Sequence, residues 1–156
     1  MRELQVVNAA ELAAAYAAAD YCVLLDGETL PLRVGHAAAD LEAYWPAQRY
    51  LFITAWNPAS KPHSDTANET ADGLLVARLD ETGASRHPAW AQDPDGEWRE
   101  PGWLIANLDH DHCIRLAQAF GQAGVLTWEH GQPVRLRMMV ARPANAAASA
   151  CIDWVE

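Results

Sequence analysis

Residues 49–56 read RYLFITAW, and this stretch decides the fold. In an extended chain, successive side chains point to opposite faces. Tyr50, Phe52, Thr54 and Trp56 therefore share one face, and Leu51, Ile53 and Ala55 share the other. Both faces are largely apolar, so the strand is expected at the centre of a sheet that is covered on both sides. Pro58 and Pro62 end regular structure beyond it, and Pro58 favours an extended Asn57. Working back towards the N-terminus, Tyr21 to Leu25 and Leu30 to Val34 flank Asp26-Gly27, the signature of a type I′ hairpin. A short helix over 37–44 stops before Pro46. Asn8-x-x-Glu11 offers a capping box for an Ala-rich surface helix over 9–19.

Beyond the central strand, Thr66-x-x-Glu69 offers a second capping box. The helix starts near Ser64–Thr66, carries Ala67, Ala71, Leu74, Leu75 and Leu79 inward and closes at Gly83. Strands are expected near 85–91 and over Gly102 to Asn107, joined through the turn Asp93-Pro94-Asp95-Gly96. Asp109 caps a helix that runs to Phe120, with Gly121 after it. Val125 to Glu129 and Pro133 to Val140 form a closing hairpin, with Val134, Leu136, Met138 and Val140 inward and Arg135 and Arg137 outward. The expected architecture is a single α+β domain over 1–140. Its sheet is mixed, largely antiparallel and twisted, with about six or seven strands and helices packed on it. A flexible Ala-rich tail, 141–156, follows.

Composition agrees with one globular domain. The 156 residues are 51% hydrophobic and 21% charged, which excludes a disordered or collagen-like chain. The formal net charge of −10 disfavours nucleic acid and acidic membrane lipids as partners. It suits a basic protein partner or none. Cys22, Cys113 and Cys151 are widely spaced and form no CxxC, which fits a reducing cytoplasm. Glu3, Glu11 and Asp20 interrupt the start of the chain, against a signal peptide or a spanning helix. One lysine against ten arginines, with abundant alanine, fits a GC-rich bacterial source.

The candidate site lies where the central strand ends. In open sheets flanked by helices, ligands bind beyond the carboxyl ends of central strands. That end is Trp56-Asn57-Pro58-Ala59-Ser60. Asn57 offers an amide donor and acceptor, Asn68 lies one turn into the next helix, and free N–H groups at that helix start suit a small polar or anionic ligand. Glu97, Trp98 and Glu100 belong to a second cluster with Asp93 and Asp95, in which close carboxylates supply charge or general acid/base capacity. The alternative keeps Asn57, Ser60 and Asn68 as local caps and the acidic turn as a solvated one. No nucleophile, metal or cofactor motif is found. Asp93-x-Asp95-Gly96 lacks the second half of a calcium loop. His110 and His112 point about 200° apart on a helix and do not share one ion. Two functions follow: a ligand site built from Trp56, Asn57, Ser60, Asn68, Glu97, Trp98 and Glu100, or a non-catalytic acidic module for a basic protein.

Several strings carry a resemblance. They are Ala15-Tyr16 through Tyr21, Leu30-x-Leu32-x-Val34-Gly35, Ile53-Thr54-Ala55-Trp56-Asn57-Pro58-x-Ser60 and Asn68 on the following helix. Asp93-Pro94-Asp95-Gly96-Glu97-Trp98-x-Glu100 and Phe120-Gly121-Gln122 complete the set. In order and spacing the chain resembles the bacterial domain of unknown function 3293 family, over about residues 12–136. The resemblance implies an architecture and a patch of residues rather than a reaction.

Overall fold

The computed structural model describes residues 9–155 apart from Glu97, Asn145, Ala147 and Ala148. Asn8, the expected cap of the first helix, and Glu97 therefore lie outside the described residues. In chain order the elements are α1 (Ala9–Ala18), β1 (Asp20–Leu25), β2 (Glu28–Leu32), α2 (Ala39–Tyr44) and β3 (Arg49–Ile53). A single 3₁₀ turn, Pro58–Ser60, precedes α3 (Asp65–Thr82), β4 (Arg86–Gln92), β5 (Arg99–Ala106) and α4 (His110–Ala119). The chain finishes with β6 (Gly124–Glu129), β7 (Arg135–Met138) and β8 (Ile152–Trp154). The eight strands form one sheet in the order β2-β1-β4-β5-β3-β6-β7-β8. Every pairing is antiparallel except β7 with β8. The α+β fold is thus as expected, with one strand more than anticipated.

β3 lies between β5 and β6, and its alternation divides the core in two. Tyr50 and Phe52 join one cluster with Tyr21, Val23, Leu104, Leu126, Trp128 and Leu136. Leu51 and Ile53 join the other with Leu75, Leu79, Ile105, Leu116 and Val125, beneath α3 and α4. The first cluster lies inside a curl. The chain leaving β2 bonds to the chain approaching β7, through Gly35 N–H to Val134 O (2.8 Å) and Val134 N–H to His36 O (2.9 Å), so the β2 edge of the sheet comes round to the β7 side. Burying both faces of one strand is favourable by about 2 kcal/mol per large apolar side chain.

Local signals explain most boundaries. Asp26 (φ 49°) and Gly27 (φ 85°) both take left-handed conformations, as the type I′ turn demands. The cap of α3 is Ser64, whose Oγ accepts from Ala67 N–H, rather than Thr66. Gly83 closes α3 with φ 71°, and Asp109 caps α4 through His112 N–H. Leu74 and Val140, both expected inward, are 61% and 41% exposed. The buried stripe of α3 runs Asn68, Leu75, Leu79, with Asp72 accepting from Trp103 Nε1. Leu74 stands about 100° round the helix from Leu75 and so faces water. Beyond residue 140, Ile152–Trp154 adds a parallel strand to β7, fastened by a fork from Arg135 to Asp153 (2.7 and 2.9 Å). No described helix is long and apolar enough to cross a membrane.

Candidate functional site

β3 gives up its ladder at Ile53, and the next seven residues form a compact knot. Thr54 Oγ1 donates to Pro101 O (2.6 Å) and accepts from Trp56 N–H (3.0 Å), which turns the chain out of the sheet. Trp56 O accepts from Gln122 Nε2 (3.1 Å).

Asn57 is not extended. It is left-handed, at φ 48° and ψ 61°. Pro58 argues against this only locally. Four tertiary hydrogen bonds outweigh that preference, and Asn tolerates the left-handed region better than most residues. Asn57 N–H donates to Asn68 Oδ1 (2.9 Å). Its Oδ1 accepts from Asn68 Nδ2 (3.0 Å) and from His63 N–H (2.9 Å). Its Nδ2 donates to Glu100 Oε2 (2.8 Å). Ser60, at φ 61°, is left-handed as well and shares a hydrogen bond with the Tyr16 hydroxyl. Two strained residues within four persist because the surroundings over-determine them, a pattern concentrated at functional sites.

Beside this knot a cleft opens towards the interior of the curl. Tyr16, Tyr21, Thr54, Trp98, Glu100 and Gln122 line it, over a floor that includes Phe52 and Leu126. Its free volume is about 30 Å³, room for one or two waters. The Tyr16 ring packs directly on Gly124, where a Cβ would come within 2.9 Å of it. Trp98 forms the outer wall and is 42% exposed. It closes the turn begun at Asp93, whose Oδ1 accepts from Trp98 N–H (3.0 Å).

Of the expected residues, Trp98 and Glu100 line the cleft, and Asn57 and Ser60 each bond to a residue that does. Asn68 is 2% exposed, and its amide is taken up by Asn57 and His63, so it positions Asn57 rather than facing the cleft. Trp56 contributes backbone bonds to Thr54 and Gln122. The acidic cluster disperses: Asp93 holds its own turn, Asp95 is exposed, and Glu100 turns to Asn57. Tyr16, Tyr21, Thr54 and Gln122 were missed as site residues. The signal was present, since all four fall inside the strings that carry the family resemblance.

Among the described residues that line the cleft, Glu100 alone carries a formal charge. Burial raises the Glu100 pKa, against the hydrogen bond from Asn57, which lowers it. Burial also raises Tyr16 and Tyr21, and the Glu100 charge adds to both. Both phenols therefore stay protonated near neutrality, and Tyr21 spends its proton on Tyr16 O (2.6 Å). A carboxylate whose folded pKa is raised costs stability once pH climbs through that pKa, and costs nothing below the unfolded value of 4.5. Glu100→Gln keeps an acceptor for Asn57. We expect it to melt above the parent protein at pH 7, with the gap closing as pH falls below 4.5. Melting curves across pH 3–8 check this; a constant gap would contradict it.

Residues 53–125 match the family model described as Protein of unknown function (DUF3293). The chain resembles that family. The matched segment is just under half of the chain and carries Thr54, Asn57, Ser60, Asn68, Trp98, Glu100 and Gln122, while Tyr16 and Tyr21 lie before it. No curated protein and no solved structure matches the chain. In this DUF3293-like segment, the strained knot and all but two of the cleft's polar groups fall within one contiguous match.

Proposed function

We propose that the cleft beside the β3 tip binds a small polar molecule that donates hydrogen bonds, an amine, amide or polyol. The observation carrying this reading is Glu100, the one formally charged group among the described residues that line this aromatic-walled cleft. Glu100 Oε2 is held by Asn57, and no described residue donates to its Oε1. That oxygen is the acceptor offered to a ligand. An anion in the same place meets repulsion from Glu100, so the donor half of the polar-or-anionic expectation is favoured. The present volume suits water, so a larger ligand enters as the Trp98 turn swings outward. That turn is joined to β4 and β5 at its ends and braced by Asp93. Trp98 then covers the ligand with an apolar face.

A screen of small amines, amides and polyols by thermal shift tests the proposal. A ligand at 100 times its Kd stabilises by about 2.7 kcal/mol, which raises the midpoint by several degrees. Glu100→Gln and Tyr16→Phe are expected to remove that rise. A screen without hits, or a hit that stabilises both variants as much as the parent, would overturn the reading. A second reading, an acidic module for a basic protein, draws on the net charge of −10 and on the exposed Asp65, Glu69 and Glu81 of α3. Repeated recovery of one basic partner by the tagged protein would favour it.

A further inference from the structure

We propose that a second pocket, on the opposite face of the sheet, binds a small oxyanion, the phosphate or carboxylate of a metabolite. The pocket has a volume of about 410 Å³ and lies where β3, β6, β7 and β8 meet the start of α4. Its charged lining is Arg49, Glu129, Arg135, Arg137 and Asp153, with His110 beside them. Strand register explains the gathering. Arg135 stands opposite Thr127, Thr127 opposite Leu51, and Arg137 opposite Val125. The pleat sends Arg49 to the same face as Leu51, away from the curl that holds Leu136 and Met138. In a chain of net charge −10, three of its ten arginines reach one pocket.

The local charges do not cancel. Arg135 is spent on Asp153 through a bidentate fork. Asp153 is held below the usual carboxylate range, first by that hydrogen bond and further by the charges of Arg135, Arg137 and His110, so it stays ionised as the partner of Arg135. Among the described residues, neither Arg49 nor Arg137 has a carboxylate within the 4.0 Å of an ion pair. Glu129 is the cross-strand neighbour of Arg49 but is exposed and makes no such pair. The Arg137 Nε is buried with no hydrogen-bond partner. Native structures rarely leave a buried donor unused, and an unmet arginine N–H is the group that recognises phosphate and carboxylate. The size of the pocket matches those that hold small metabolites and exceeds what a bare ion needs. This inference is independent of the cleft at Glu100, whose ligand is a donor rather than an anion.

Titration of the ¹⁵N-labelled full chain with inorganic phosphate, and separately with acetate, at constant ionic strength against chloride, tests it. Saturable shifts are expected at the amides around Arg49, His110 and Arg137. Saturation by phosphate alone would assign a phosphate ligand; saturation by acetate as well would extend the class to carboxylates. Arg49→Gln combined with Arg137→Gln should weaken binding at least tenfold, and Arg137→Lys, which keeps the charge without the fork, by less. Where the double variant loses its dispersed spectrum, Arg49→Gln alone carries the comparison. Linear shifts without saturation, the same shifts with chloride, or unchanged affinity in the variants would overturn the proposal.

Discussion

Asn68→Ala is expected to lower stability by about 3 kcal/mol, through the loss of buried hydrogen bonds. For a domain of this size that is a drop in the melting midpoint of roughly 6–12 °C. The side chain is 2% exposed and makes three bonds, one accepted from Asn57 N–H and two donated, to Asn57 Oδ1 and His63 O. Alanine leaves the Asn57 N–H without its acceptor in a half-buried place that water reaches poorly. Each such orphan costs about 1–3 kcal/mol. The left-handed backbone at Asn57 then loses two of the four bonds that over-determine it. Asn68→Asp makes the mechanism visible. It keeps the acceptor for Asn57 N–H but deletes both donors, and it sets a charge beside Asn57 Oδ1. Urea unfolding of the parent, Asn68→Ala, Asn57→Ala and the double variant forms a cycle. The pair should show a coupling of about 1 kcal/mol or more, as residues in one network do. A loss under 1 kcal/mol for Asn68→Ala would mean that the knot does not depend on this amide pair. The same variant should relax Asn57 Nδ2 away from Glu100, so any ligand stabilisation should fall with it.

What the sequence disclosed divides along the range of the interactions. The position of β3 was legible because alternation is local: Tyr50 and Phe52 entered one core, Leu51 and Ile53 the other. The hairpin was legible because Asp26-Gly27 meets its own steric requirement. The place of the candidate site followed from where that strand ends. Its internal arrangement did not. The conformation of Asn57 depends on His63, Asn68 and Glu100, the last of them 43 residues away. Ser60 meets Tyr16 across 44 residues, a contact no window of sequence contains. The four acidic residues near Trp98 looked like one cluster because they are close in sequence. Along β5, however, Glu100 extends across the sheet to the β3 tip, while Asp93 remains with its turn. Docking of Cys151 to Val155 stays open in the sequence for a similar reason: Ile152–Trp154 is too short to show an alternation, and what fixes it is Asp153 meeting Arg135 from a neighbouring strand.

Gly102→Ala is expected to be more damaging than its single methyl suggests. Gly102 sits on β5 where β3 passes beside it. A Cβ there would lie 2.5 Å from Ile53 O and 3.1 Å from both Cα and Cβ of Thr54. The first distance is with a backbone carbonyl in a buried strand, which has no rotamer to escape into. β3 and β5 must therefore part along the register that pairs Ile53 with Trp103. Overpacking of a tight core costs about 1–3 kcal/mol, and a backbone clash belongs at the upper end. The expected loss is about 3 kcal/mol, or roughly 6–12 °C in the midpoint. The displacement falls on the site as well. Thr54 Oγ1 bonds to Pro101 O, the carbonyl just before Gly102, and the same hydroxyl holds Trp56 N–H. Parting the strands shifts that hydroxyl, and with it the start of the knot that carries Asn57. Gly73→Ala is the matching control. Gly73 lies inside α3 with nothing within 4 Å of a built Cβ, so alanine should stabilise by about 0.5–1 kcal/mol through helix propensity. Calorimetry of both variants separates a general tolerance of added methyls from the close approach of β5 to β3. Equal melting of Gly102→Ala and the parent would show that the two strands can separate at no cost, and that the knot does not rest on their contact.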